Sequence, residues 1–467
     1  MIRKSLLFGI LFILLFSSIV IAENDWYTEG GNYTPGTRIR LTLTNPLDVA
    51  RTECPVVIDR LDLPFSNFGP RDIIVVDPSL EPRPEPTEEE LLRVGGHMPR
   101  GETNGRYIHY QVDDIDRDGI FDELFFMTDF EPNETKTIFV YVGYNNRGLY
   151  PHGTFAAVAD YSRHPVPMWE SELITWKLFF PTDVDIQAKR ERMLNGYYTL
   201  TSNSSGYHFD YDKGSDIMTV STSFGGGGIC LFEHTARPDS VSRPLYSPHR
   251  KTGPQHDTRF NFDVIASGPL RSIIRAHTMN WRSGDGEYEL EQLYTAYQGK
   301  NYSSCRVNYL SFFPNNETGF GCGLRKIMFE DESVTENGYV VSISRDMPVI
   351  DPNPESLERQ RTTIDFAGIA MIVKDKYMPE YRDIKTFQGN HVFHLPVTDD
   401  LSYEYLITAS WSEGLVGNTP ESFTSYVKET ALEYNNPIML DSAQLERKGN
   451  IVSPIEHWGW DNVHQLR

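Results

Sequence analysis

Thr258-Arg-Phe-Asn-Phe-Asp-Val264, Leu270-Arg-Ser-Ile-Ile-Arg-Ala-His-Thr-Met-Asn-Trp281, Tyr288-Glu-Leu-Glu-Gln-Leu-Tyr-Thr-Ala-Tyr297 and Ser304-Cys-Arg-Val-Asn-Tyr-Leu-Ser-Phe312 follow one another along the chain. Turn residues such as Ser283-Gly-Asp-Gly286 separate them. Apolar and polar residues alternate within each run, as in strands with one packed face and one polar face. Short turns between such runs make them antiparallel neighbours. In the first run Thr258, Phe260, Phe262 and Val264 share a face, and Arg259, Asn261 and Asp263 share the other. Arg271, Arg275 and His277 lie on one face of the second, Glu289 and Glu291 on one face of the third, and Arg306 and Asn308 on one face of the fourth. Consecutive strands therefore set Arg, His, Glu and Asn side by side, opposite an apolar face that packs. A solvated sheet face needs no function to explain polar residues. Arg and His where Lys and Thr would serve make this face a candidate site.

The rest of the chain reads as β structure around that meander. Arg38–Thr44 and Lys136–Val142 are strand runs, with a Pro/Glu-rich loop at Glu81–Glu90 between them. They delimit a first domain, residues 23–149, of immunoglobulin-like size and strand content. Residues 150–440 are too many for a simple sandwich and imply two large stacked antiparallel sheets. One helix is expected, from Pro420 to Tyr434. Thr419 caps it, Pro420 takes its first position, and Phe423, Tyr426, Val427, Thr430 and Ala431 fall on one face. Residues 441–467 are polar and read as an extended tail. The fold class is all-β, in two domains.

Residues 1–22 have the three-part plan of a secretory signal: Arg3 and Lys4, an apolar run from Leu6 to Ile21, and Ala22 ahead of polar sequence. The apolar run is shorter than the ~20 residues that span a bilayer. The expectation is an exported protein, cut behind Ala22 and not inserted in a membrane. A formal net charge of −22 argues against nucleic acid or an anionic membrane as partner. An anionic ligand would need a locally basic surface, which Arg259, Arg275 and Arg306 are expected to supply. Cys54, Cys230, Cys305 and Cys322 fit no zinc spacing; a Cys305–Cys322 bridge and free buried thiols are both open.

Asp114-Ile-Asp116-Arg-Asp118-Gly-Ile-Phe-Asp122 is the sharpest local pattern. Alternate carboxylates before a glycine can wrap oxygen ligands around calcium, here as a structural staple. The same residues also suit a plain acidic turn. No cofactor is expected for catalysis. Phe224 followed by four glycines lacks the Lys-Ser/Thr of a phosphate loop and reads as a close backbone approach. His256, Lys177, His391 and Trp411 are further single candidates, and no signature in the chain names a reaction.

Five segments carry a resemblance: Met168-Trp-Glu-Ser-Glu-Leu-Ile-Thr-Trp-Lys-Leu-Phe179, Gly214-Ser-Asp-Ile-Met218, Ser223-Phe-Gly-Gly-Gly-Gly-Ile229, Tyr288 to Tyr297, and Ala409-Ser-Trp-Ser-Glu-Gly414. With the Asp114–Asp122 hairpin they resemble, from about Asp114 to Asn436, a secreted domain-of-unknown-function family frequent in polysaccharide-utilisation gene neighbourhoods. The resemblance implies a galactose mutarotase-like β-supersandwich. It also implies an activity like that of the dehydratases acting on non-reducing-end uronates of ulvan-type oligosaccharides. Such a carbon–oxygen lyase must neutralise the uronate carboxylate, take the C5 proton and protonate the leaving oxygen. From the residues, Arg259 and Arg306 are the expected clamp, with Arg275, His277 and His391 beside them. His256 is the expected base, Tyr294 the acid, Lys177 an alternate, and Trp411 a platform for the sugar ring. The rival readings are a polysaccharide lyase, a glycoside hydrolase using Glu289 and Glu291, and a glycan-binding protein without catalysis.

Overall fold

A computed structural model describes Trp26 and residues 36–448, apart from 71, 82–105, 144–150, 161–164, 180–182, 197–209, 219, 221–222, 234–236, 238, 245–257, 284–285, 349–362 and 387–388. The signal segment therefore lies outside the described residues, as does His256. The fold is nearly all β, built of several antiparallel sheets, with one α-helix among the described residues.

The meander forms half of an eight-stranded sheet. Arg259–Ser267, Arg271–Ser283, Gly286–Tyr297 and Tyr302–Phe313 lie side by side, followed by Ser402–Trp411, Thr363–Val373, Tyr339–Pro348 and Glu332–Glu336. Against one face of this sheet stand a six-stranded sheet, which includes Pro165–Ser171, Ile174–Phe179 and Asp183–Lys189, and a four-stranded sheet, which includes Gly228–Phe232 and Asn390–Leu395. The two smaller sheets meet at a single parallel bridge between Val184 and Gly225. Side chains of all three sheets fill one core: Trp169, Trp176, Val184 and Ile186 face Tyr294, Cys305, Val307, Ile407 and Phe393. Period-two alternation chose these inward faces, and burying them supplies most of the driving force at roughly 25 cal/mol per Å² of apolar surface.

On the opposite, outer face of the eight-stranded sheet two elements dock. The helix Pro420–Asn435, capped by Thr419 and Ser422, lays Phe423, Val427 and Ala431 over Val341, Phe366, Ala370 and Leu406. The N-terminal sandwich packs beside it. Seven strands between Thr37 and Val142 pair into a five-stranded and a three-stranded sheet, and the last strand of the five-stranded one comes from the far end of the chain. Met439–Arg447 runs antiparallel to Thr37–Thr44 through its whole length. This corrects the tail expected from residue 441. The strand is half-exposed and polar, so its alternation carries little hydrophobic signal, and backbone pairing with a ready edge makes it a strand. All four cysteines are buried and free, so the Cys305–Cys322 bridge is not formed.

Candidate functional site

The polar face read from the sequence exists as one surface. Asn261 stands opposite His277, His277 opposite Glu291, and Glu291 opposite Asn308; Asp263, Arg275, Leu293 and Arg306 form the next row. Arg275 and Arg306 are thus two strands apart, ~9.6 Å, while Arg259 lies four residues along its strand from Asp263, ~13 Å. The surface is not basic, which corrects the expectation of a local positive patch. Arg275 pairs with Asp263 at 3.1 Å. His277 meets Glu289 at 2.8 Å, and Asn308 donates to Glu291 at 3.2 Å. Arg306 faces both Glu123 and Glu404. Both carboxylates of the hydrolase reading are thereby engaged by neighbours.

The expected catalytic group does not assemble there. Tyr294 points the other way, into the core, with its ring 4.6 Å from that of Trp169. Burial raises its hydroxyl well above the usual tyrosine range. The reason is parity: Glu289, Glu291 and Leu293 face outward, so Tyr294 faces inward. Lys177 lies on the far side of the sandwich, with the whole core between it and Arg306. Trp411 is buried, donates to the Lys189 carbonyl at 3.3 Å and is covered by the Arg190 guanidinium at 4.7 Å, so no sugar can stack on it. His391 is also buried, between the Tyr381 hydroxyl at 2.8 Å and Glu330 at 2.6 Å.

A second polar layer, around Lys177, has the stronger claim. The outer face of the six-stranded sheet carries Glu170, Thr175, Lys177, Asp183, Asp185, Gln187, Lys189 and Asp216, and all of them are buried. A sheet face that only needed covering would carry apolar residues here. Buried charges are costly unless paired, and such clusters concentrate where chemistry is done. Part of the layer is plainly structural. Lys189 bonds Glu170, the Ser171 carbonyl and the Met193 carbonyl, while Glu170 also accepts from Thr175 and from the Asn195 and Gly196 amides. Burial lowers the Lys189 pKa, against the opposing pull of Glu170.

The other part has chemistry to offer. Lys177 lies 3.1 Å from Asp185, whose second oxygen accepts the Ile186 amide at 2.9 Å. Arg243 donates to Asp183 at 2.9 Å and to the Ser223 carbonyl, and its guanidinium sits 4.2 Å over the Phe224 ring. Asp183 and Asp185 are two residues apart on one face, ~7 Å between Cα atoms. That spacing brings an ammonium–carboxylate pair and a guanidinium within about one sugar residue of each other. The glycine loop makes the junction: Gly225 has φ +58°, and a Cβ there would stand 2.4 Å from the Val184 carbonyl. Phe224 is tied in turn to Asn390, its amide donating to the side-chain oxygen at 3.3 Å. Asp183, Asp185 and Arg243 were missed in the sequence. The available signal was Asp183-Val-Asp-Ile-Gln-Ala-Lys189, a strand with four polar residues on one face.

The acidic residues from Asp114 to Asp122 join two antiparallel strands, Tyr110–Asp113 and Glu123–Phe130. Carboxylate oxygens of Asp114, Asp116 and Asp122 lie within 4.8 Å of one another. Asp118 is not part of that group; its carboxylate accepts the Ile120 amide at 2.7 Å. The hairpin leans on the outer face of the eight-stranded sheet, where Arg117 donates to the Val264 carbonyl. No helix among the described residues is long and apolar enough to cross a membrane.

A family model described as a domain of unknown function, DUF4861, matches residues 101–440. No curated protein matches the sequence. Among solved structures, the chain is similar to an alpha-mannosidase from Enterococcus faecalis V583 at 10% identity and a TM-score of 0.45, with 90% of this chain aligned to 47% of that one. It is similar at 10% identity and a TM-score of 0.43 to a protein in glycosyl hydrolase family 38 from Enterococcus faecalis, with 90% of this chain aligned to 49% of that one. The chain thus spans about half the length of either structure.

Proposed function

The chain belongs to the DUF4861 family, a domain of unknown function, and on that premise we propose that it is a carbohydrate-active carbon–oxygen lyase. Its reaction is the loss of water from the non-reducing-end uronate of an oligosaccharide, giving a 4,5-unsaturated sugar. The observation that carries the reading is the buried layer of Lys177, Asp185, Asp183 and Arg243. Three of the segments on which the family resemblance rests, around Trp169–Lys177, Gly214–Met218 and Phe224–Gly227, build this layer or border it.

In this reading Arg243 takes the uronate carboxylate, so that negative charge growing on the C5 side is met by a fixed guanidinium. Asp185 accepts the C5 proton. The electron pair of that bond forms the C4–C5 double bond, and the C4 oxygen leaves as water with a proton from Lys177. Asp185, now protonated, stands 3.1 Å from the neutral Lys177 amine and returns the proton to it. The layer is closed in this structure, with Lys177 and Arg243 buried, so the sugar enters only when its cover parts, and reclosure then excludes water from the reaction. Export behind Ala22, an anionic ulvan-type oligosaccharide as substrate, and a structural calcium at Asp114, Asp116 and Asp122 belong to the same proposal.

The test is ultraviolet absorbance of the conjugated double bond, followed over a panel of uronate oligosaccharides. Wild-type protein should generate absorbance. Lys177→Met and Arg243→Met should each lower turnover by about 10²-fold or more, counted per folded molecule by circular dichroism. No absorbance across the panel, or absorbance that survives both substitutions, overturns the assignment.

A further inference from the structure

On the side of the eight-stranded sheet away from that layer, a cavity of about 300 Å³ lies between the sheet, the N-terminal sandwich and the end of the helix. This volume is at the small end of ligand sites, which run from roughly 300 to 1,000 Å³. Junctions between domains are common places for such sites. Its apolar wall includes Ile273, Leu293 and Leu406, and its polar lining holds Arg271, Arg306 and Lys374 with Glu123 and Glu404, Asp113 standing behind Arg271.

The cations differ in how firmly they are held. Lys374 meets Glu404 at 3.1 Å, and Tyr434 donates to the same Glu404 oxygen at 2.7 Å. Arg271 is anchored by Asp113 at 2.6 Å and lies 2.7 Å from Glu123 through Nη2. Arg306 is the loosest. It reaches Glu123 only at 3.4 Å from each Nη and Glu404 at 3.9 Å, with its side chain 43% exposed. Those contacts sit at or beyond the long edge of hydrogen bonding. A guanidinium fork in this state is ready for a planar anion that can take two of its N–H groups at once.

We propose that this cavity binds one carboxylate-bearing ligand of monosaccharide size, held by the Arg306 fork and packed on the Ile273–Leu293–Leu406 wall, as a site separate from the catalytic layer. The carboxylate takes the two Arg306 N–H groups that otherwise make only long contacts to Glu123. Because three structural units meet at the cavity, an occupant also ties the N-terminal sandwich to the sheet.

Equilibrium binding of D-glucuronate to the full chain, with D-glucose as the neutral control, tests this. Because the lyase reading already gives Arg243 a uronate carboxylate, binding is measured in Arg243→Met, where one saturable site for glucuronate is still expected and none for glucose. Arg306→Gln should weaken it about tenfold or more, the loss of a charge-assisted bidentate contact. With Arg243 already replaced, the result stands apart from the fate of the lyase assignment. Absence of saturable binding, equal binding of glucose, or binding that survives the added Arg306→Gln overturns the proposal.

Discussion

Arg271→Met tests how the N-terminal sandwich is fastened to the large domain. The Arg271 guanidinium is 4% exposed, and it faces Asp113 and Glu123, which the sandwich contributes at 4% and 12%. It also lies 4.7 Å over the Phe125 ring, and its carbonyl accepts from Gln111 at 2.9 Å. Methionine keeps the packing volume and the carbonyl bond but leaves two buried carboxylates without their shared cation. Removing one partner of a buried pair costs about 3–5 kcal/mol. The pH dependence follows from Glu123. Burial pushes its carboxyl up, but Arg271 and Arg306 together outweigh this and hold it below the usual range. In the wild type its contribution is therefore present above the unfolded carboxylate pKa and lost as pH falls through the lower, folded value. In the variant one of those cations is gone, so Glu123 protonates at higher pH and the penalty is relieved. Urea denaturation of both proteins should show a gap of about 3–5 kcal/mol at pH 7 that narrows toward pH 4. Arg271→Lys should fall between, because an ammonium lacks the fork that serves both carboxylates. A gap under about 1 kcal/mol at pH 7, or one that does not change with pH, would refute the reasoning.

The remaining predictions concern local features. Calcium should raise the melting temperature, and Asp116→Ala should abolish the rise; equal melting with calcium and with chelator would reduce the hairpin to a turn. All four cysteines should resist a thiol reagent near neutral pH in native protein and react after denaturation. Burial pushes Cys54 up to about 11 and Cys305 to about 12, and fast labelling of either would contradict the packing. Gly225→Ala should cost at least ~1–3 kcal/mol in thermal unfolding, since φ is +58° and the new Cβ would meet the Val184 carbonyl. A neutral result would mean the loop is not pinned.

The strands were legible because alternation is a local property. The four meander runs and the capped helix at Pro420 all lie where side-chain pattern and turn chemistry put them. What failed was the third dimension. Arg259, Arg275, His277 and Arg306 do share a face, but Glu123 and Arg117, which meet that face, arrive from a sequentially distant hairpin. No spacing in the meander announces them. Tyr294 was a different kind of miss, since its even parity already excluded it from the face of Glu289 and Glu291. Lys177 was found as a lone lysine, and its partner Asp185 is only eight residues on, across one antiparallel pairing. Strand Asp183–Lys189 was overlooked because it is wholly buried yet polar on one side, a pattern that imitates a solvent-facing strand. The strand at Met439–Arg447 hid for the converse reason, polar residues on an edge whose partners, such as Arg38 for Glu446, lie at the other end of the chain.

In the proposed reaction water leaves C4 of a terminal uronate while the glycosidic bonds stay whole. Mass spectrometry of uronate oligosaccharides after incubation with the protein tests it most directly. A product lighter by one water at unchanged chain length is expected from the wild type and not from Lys177→Met. Shortened chains, whether saturated or unsaturated, or no product from any uronate oligosaccharide offered, would contradict it.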